Sequence, residues 1–78
     1  GGGDAPAWDL VFIDPPYDVG EAGLAGVLEA LMPLLAADAT VVVERSTRSA
    51  APTPPTGLEL ERTRNYGETA VHWLRRVD

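Results

Sequence analysis

Asp14-Pro15-Pro16-Tyr17 is the stretch of this 78-residue sequence whose residue types could do chemistry. Each proline fixes φ at about −65°, carries no N–H, and pushes the residue before it towards an extended conformation. The turn is therefore stiff. It presents carbonyls and the Asp14 carboxylate as hydrogen-bond acceptors, and almost no donors. A matching partner is a group that is mainly a donor, such as the NH₂ attached to a nucleobase ring. The lone pair of that nitrogen is delocalised into the ring, so it is a weak nucleophile. Acceptors on both N–H groups would favour a pyramidal nitrogen as it attacks an electrophilic methyl group, stabilising the positive charge that develops. Tyr17 can stack its ring on the base, which in a folded nucleic acid must first be swung out of its helix. An isolated Asp-Pro is more simply an N-cap and turn. Four specified residues at the end of a buried strand weigh against that, since chance would supply them in so short a chain about once in a thousand.

The elements around the motif read as one α/β unit. Asp9 to Ile13 is a short apolar run that predicts a strand buried on both faces, as in a parallel sheet. Leu24, Val27, Leu28, Leu31 and Met32 follow helical spacing, so a helix is expected over residues 20–32, with Glu21 in its first turn and Pro33 ending it. Leu34 to Asp38 is expected to be a connection. Thr40 to Glu44 is rich in β-branched residues and predicts a second buried strand, over residues 40–45. Residues 46–57 read as a Ser/Thr/Ala/Pro/Gly loop. Leu58 to Arg64 alternates, with Leu58, Leu60 and Arg62 against Glu59, Glu61 and Thr63. Asn65 to Glu68 supply turn residues, and Thr69 to Val77 is a last strand, making residues 58–77 an antiparallel hairpin. Residues 4–18 hold the first strand and the motif. Ligands of open α/β sheets bind at the carboxyl ends of strands, where Asp14 lies. Two parallel strands and one helix cannot cover both faces of a sheet, so the missing part is expected before Gly1.

Bulk properties narrow the field further. There is no cysteine, which excludes a disulfide scaffold and a thiolate metal site, and the single His72 argues against a histidine metal cluster. No apolar run approaches the roughly 20 residues of a membrane span, and the Gly1-Gly2-Gly3-Asp4 start does not resemble a signal peptide. A cytoplasmic protein without membrane contact is the expectation. The formal net charge is −6, a poor field for tracking phosphates.

Val11-Phe12-Ile13-Asp14-Pro15-Pro16-Tyr17 resembles the signature of class I methyltransferases that act on exocyclic amines: adenine N6, cytosine N4 and guanine N2. With Val41-Val42-Val43-Glu44-Arg45-Ser46 and Arg64-Asn65-Tyr66-Gly67-Glu68-Thr69-Ala70-Val71 in that order, the stretch from Trp8 to Arg75 is similar to the bacterial 16S ribosomal RNA guanine-N2 methyltransferases of the RsmD type. The resemblance implies a Rossmann-like methyltransferase, of which this chain is the C-terminal half: the fourth and fifth strands and the terminal hairpin. It implies S-adenosyl-L-methionine as cofactor. It implies 16S rRNA, or the assembling small ribosomal subunit, as partner, together with the N-terminal half of the same protein. Asp14 and the Pro15 carbonyl would hold the guanine amine, with Pro16 completing the rigid turn and Tyr17 packing on the base. Asp14 would also touch the edge of the cofactor. The family's Gly-rich cofactor loop has no counterpart here, so this stretch alone is expected to be inactive.

Other residues carry weaker signals. Asp18, Tyr66 and Gly67 are candidates for contact with the substrate, although turn roles explain them as simply. Glu44 could touch substrate but is expected to cap a loop. His72 is expected to be packed in its strand, and Trp8 and Trp73 to be packing residues. Arg45, Arg48, Arg62 and Arg64 suit either phosphate contacts or a solvated surface. Two rival functions follow. A DNA adenine-N6 or cytosine-N4 methyltransferase shares the motif. A non-catalytic module could instead present Pro52-Thr53-Pro54-Pro55 as a polyproline ligand.

Overall fold

The two apolar runs lie side by side: β1 (Trp8–Ile13) is parallel to β2 (Leu35–Ser46). Between them runs helix α1 (Glu21–Leu31), which ends in a 3₁₀ turn at Met32–Leu34 with Pro33 in its first residues. β3 (Leu58–Tyr66) and β4 (Thr69–Arg76) form an antiparallel hairpin, and β4 pairs antiparallel with β2. The sheet order is β1-β2-β4-β3. This α/β arrangement comes from a computed structural model that describes residues 7–15 and 20–77. Gly1 to Asp4, Pro16, Tyr17 and Asp18 lie outside the described residues.

The core forms where α1 meets one face of the sheet. Leu24 and Leu28 from α1 pack with Leu35, Ala39, Val41, Val43, Leu58 and Leu74, and Val11, Ile13, Leu31 and Met32 close its margin. Val27 departs from the expected apolar face and is 43% exposed. At about 100° per residue it lies some 60° from Leu24 and 100° from Leu28, at the edge of a stripe only two turns long.

β2 begins earlier than its sequence suggests, because the connection expected over 34–38 is strand from Leu35 onwards. The ladder is irregular there. Trp8 faces Leu35 while Leu10 faces Thr40, so β2 spends three extra residues on that step, and Asp38 takes a positive φ of 61°. Asp tolerates this region better than most residues, through local side-chain hydrogen bonding.

β3 corrects the expected alternation. Leu60 faces Leu74 and Arg62 faces Trp73, which leaves Glu61 as an extra residue in a β-bulge. The phase flips there. Leu58 and Leu60 face the helix side; beyond the bulge Thr63 takes that side against His72, and Arg62 turns to the other face, its guanidinium 5.3 Å from the Trp73 ring centre. Arg75 of β4 ties the two irregularities together, reaching Glu61 at 2.7 Å and Asp38 at 3.1 Å. Its Glu61 hydrogen bond is the main reason its pKa is raised. The hairpin turn is Gly67-Glu68 alone, with Asn65 and Tyr66 still in the strand. Gly67 has φ 61°, as the primed two-residue turns require.

The second face is where β1 departs from expectation. Val42 is buried there, between its ladder partners Phe12 and Trp73. Leu10 and Phe12 are 57% and 74% exposed, and among the described residues β1 is the outermost strand of the sheet, with that face uncovered. No helix of the described residues covers that side.

Candidate functional site

The carboxyl ends of β1 and β2 point the same way because the pair is parallel. Asp14 and Pro15 continue β1 past Ile13, and Glu44, Arg45 and Ser46 finish β2 beside them. The start of β4 closes the third side, since Ser46 pairs with Thr69 and Arg45 with Ala70. Together Asp14, Pro15, Glu44, Arg45, Ser46, Ser49, Glu68 and Thr69 line an open cleft of about 530 Å³.

The floor is held by backbone bonds. Thr47 N–H donates to the Glu68 carbonyl at 2.9 Å, which joins the loop after β2 to the hairpin turn. Ser49 N–H donates to the Ser46 carbonyl at 3.0 Å, and Arg48 N–H to Ser46 Oγ at 3.1 Å, which curls that loop into a turn beside the cleft. The far end of the loop is fixed as well. Pro52 is buried, Leu58 N–H donates to the Pro55 carbonyl, and Val77 N–H donates to the Gly57 carbonyl. A buried Pro52 does not suit a polyproline ligand, which must offer its ring faces to a partner.

Asp14 is exposed to the cleft and Pro15 is half-buried. Both carry acceptors and neither turns an N–H into a donor array; Pro15 has none to offer. Tyr66 and Gly67 fall outside the lining. Tyr66 is exposed at the end of β3, its ring 5.9 Å from the Arg64 guanidinium. Their neighbours Glu68 and Thr69 line the cleft. Glu44, expected as a loop cap, faces the cleft instead. Ser46, Glu68 and Thr69 fall within the segments that carry the resemblance but had no role of their own, and Ser49 lies in the loop after β2. The β2–β4 register and that loop bring them near Asp14.

His72 is 3% exposed and plays no part in the cleft. Its Nδ1 lies 2.9 Å from Thr63 Oγ1 across the hairpin. Burial lowers its pKa from 6.5, and the Arg45 charge lowers it further. Among the described residues no group of His, Cys, Asp and Glu could hold a metal ion, and no helix is long and apolar enough to cross a membrane.

The chain is similar to the solved structure named "Putative methyltransferase yhhF" from Escherichia coli, with 27% identity, a TM-score of 0.75, and 91% of this chain covering 40% of that one. A conserved hypothetical protein of Streptococcus pyogenes is 28% identical with a TM-score of 0.80, over 94% of this chain and 46% of its own. A Haemophilus influenzae protein at 23% identity shares the fold, with a TM-score of 0.71 over 96% of this chain and 46% of its own. The chain thus spans less than half the length of each of these structures. No curated protein sequence matches it. The family model described as Conserved hypothetical protein 95 matches residues 2–75, and the chain belongs to that family.

Proposed function

We propose that this chain forms the target-base side of a methyltransferase that moves a methyl group from S-adenosyl-L-methionine to an exocyclic base amine, most specifically guanine N2 of small-subunit rRNA. The observation that carries this reading is the placement of Asp14 and Pro15: a rigid set of acceptors at the carboxyl end of a parallel strand pair, opening on a polar cleft.

The Asp14 carboxylate and the Pro15 carbonyl accept the two N–H bonds of the amine. Held so, the nitrogen lone pair is directed out of the ring plane towards the incoming methyl. As the N–C bond forms, positive charge grows on nitrogen, and Asp14 stabilises it more in the transition state than in the ground state. After transfer the methylated nitrogen gives its extra proton to water, so Asp14 need not be a strong base. Tyr17 belongs to this reading as the ring that packs on the base.

The cofactor, when bound, supplies an electrophilic methyl group. The residues of this chain fit the amine and not the main body of that cofactor. Its carboxylate needs N–H donors such as a Gly-rich strand-to-helix turn supplies, and its ribose hydroxyls need an acidic side chain as acceptor. The turn between β1 and α1 here carries Pro15 and Pro16 instead, and prolines donate nothing. That binding therefore rests on residues outside this chain.

The test uses the full-length protein, labelled cofactor, and rRNA and DNA as separate acceptors. Wild type should label rRNA guanine at N2, and Asp14→Ala should lower labelling by about 10²- to 10³-fold, the usual loss for a donor or acceptor aimed at transition-state charge. No labelling of rRNA, or equal labelling by the variant, removes the proposal. Labelling of DNA adenine or cytosine would favour the rival substrate instead.

A further inference from the structure

We infer that Glu44 is the residue that selects guanine, by accepting the ring N1–H that sits next to the amine held by Asp14. This rests on the reading of the cleft as a guanine-amine pocket and adds to it a basis for choosing among the three bases that carry such amines.

The ladder puts the two carboxylates together. Val11, Phe12 and Ile13 face Val41, Val42 and Val43, and Asp14 and Glu44 are the residues that follow the last of these pairs and line the same cleft. Neighbouring strands lie about 4.8 Å apart, close enough for two side chains to meet one base edge. Strand alternation puts Asp14 on the side of Phe12 and Glu44 on the side of Val42, which are ladder partners and share a face. Both residues line the cleft, and both are exposed to it.

Base chemistry then separates the substrates. Neutral guanine offers two adjacent donors, the N2 amine and N1–H. Adenine offers its N6 amine beside an N1 lone pair, and cytosine its N4 amine beside an N3 lone pair. Asp14 serves any of the three amines. Glu44 does not, because an ionised carboxylate only accepts. Against guanine it gains a charge-assisted hydrogen bond. Against adenine or cytosine it sets lone pair against lone pair, and specificity comes from that repulsion as much as from the attraction. Glu44 binds and moves no proton.

The experiment maps the labelled position in small-subunit rRNA, then supplies the full-length protein with RNA carrying guanine or 2-aminopurine there. 2-Aminopurine keeps the amine and replaces N1–H by a lone pair. Wild type should prefer guanine by about 10- to 100-fold in kcat/KM, the range for one charge-assisted hydrogen bond. Glu44→Gln should lose activity on guanine and gain on 2-aminopurine, because its amide can donate to the bare N1; the preference should fall to about threefold or less. The ratio is measured within one protein sample, so a smaller folded fraction cannot mimic the effect. Wild type that labels both bases equally, or a Glu44→Gln variant that slows both by one factor, overturns the inference and leaves the amine pocket standing. Wild type that labels no guanine overturns the pocket reading and the inference with it.

Discussion

Replacing Leu28 by Ala should destabilise the protein by about 3 kcal/mol, while the same change next door at Val27 should cost almost nothing. Leu28 is fully buried, at the centre of the contact between α1 and the sheet. Truncation to Ala removes three carbons. At about 0.8 kcal/mol for each buried CH₂ the transfer loss is roughly 2.4 kcal/mol. A cavity term adds to it, at about 24 cal/mol for each Å³ that stays empty. That term should be small here. The outer side of α1 carries exposed Glu21, Ala22, Gly26, Glu29 and Ala30, so the helix can settle towards the sheet. The sum falls near 3 kcal/mol and below the roughly 5 kcal/mol of a rigid site. Val27 loses little burial, and Ala favours helix over a β-branched residue, so Val27→Ala should lie within about 0.5 kcal/mol of wild type. Urea unfolding of the full-length protein, with slopes checked for equality, gives both numbers from the shift in midpoint. Equal losses at the two positions, or a loss below about 1 kcal/mol at Leu28, would refute the placement of the helix stripe.

Two further outcomes follow from residues outside the cleft. His72 is held below its ordinary pKa of 6.5 by burial and by Arg45. As pH falls through 6.5, the unfolded chain binds a proton that the native chain refuses until the lower folded pKa is reached. Stability should be complete above pH 6.5 and decline through that lower window; urea midpoints between pH 8 and pH 5 measure it, and His72→Leu should flatten that part of the curve. An unchanged slope in the variant would show that other groups carry it. Gly67→Ala meets no atom within 4 Å, so its cost is the positive φ alone, about 1 kcal/mol, and Gly67→Asn should cost less. A thermal melt that ranks Asn below Ala would contradict the turn geometry.

The parallel pair, the helix and the hairpin were legible because each rests on local pattern. Val41-Val42-Val43 reads as strand from composition alone, and Pro33 marks the helix end within one residue. What escaped the sequence depends on partners far along the chain. β1 reads as buried on both faces, yet the exposure of Phe12 is set by what lies next to the strand. The irregular entry to β2 requires Asp38 to adopt a positive φ, and nothing nearby announces it. The site divides in the same way. Asp14 and Pro15 are visible as a motif. Glu44, Ser46, Glu68 and Thr69 become neighbours of that motif only through register, and Tyr66 lies outside the cleft that they line.

The extra residue in β3 has a consequence for how this hairpin tolerates change. Up to Leu60 the even-numbered positions face the helix side of the sheet; after Glu61 the odd-numbered ones do. Glu61 therefore absorbs one residue of extra length without moving its neighbours across the sheet. Substituting it costs an exposed ion pair and keeps every later side chain on its proper side. Deleting it would leave Leu60 against Leu74, Arg62 against Trp73 and Thr63 against His72 in an uninterrupted ladder, so every downstream side chain would keep its side. Sequence drift at this position should be wide in kind and should extend to loss of the residue.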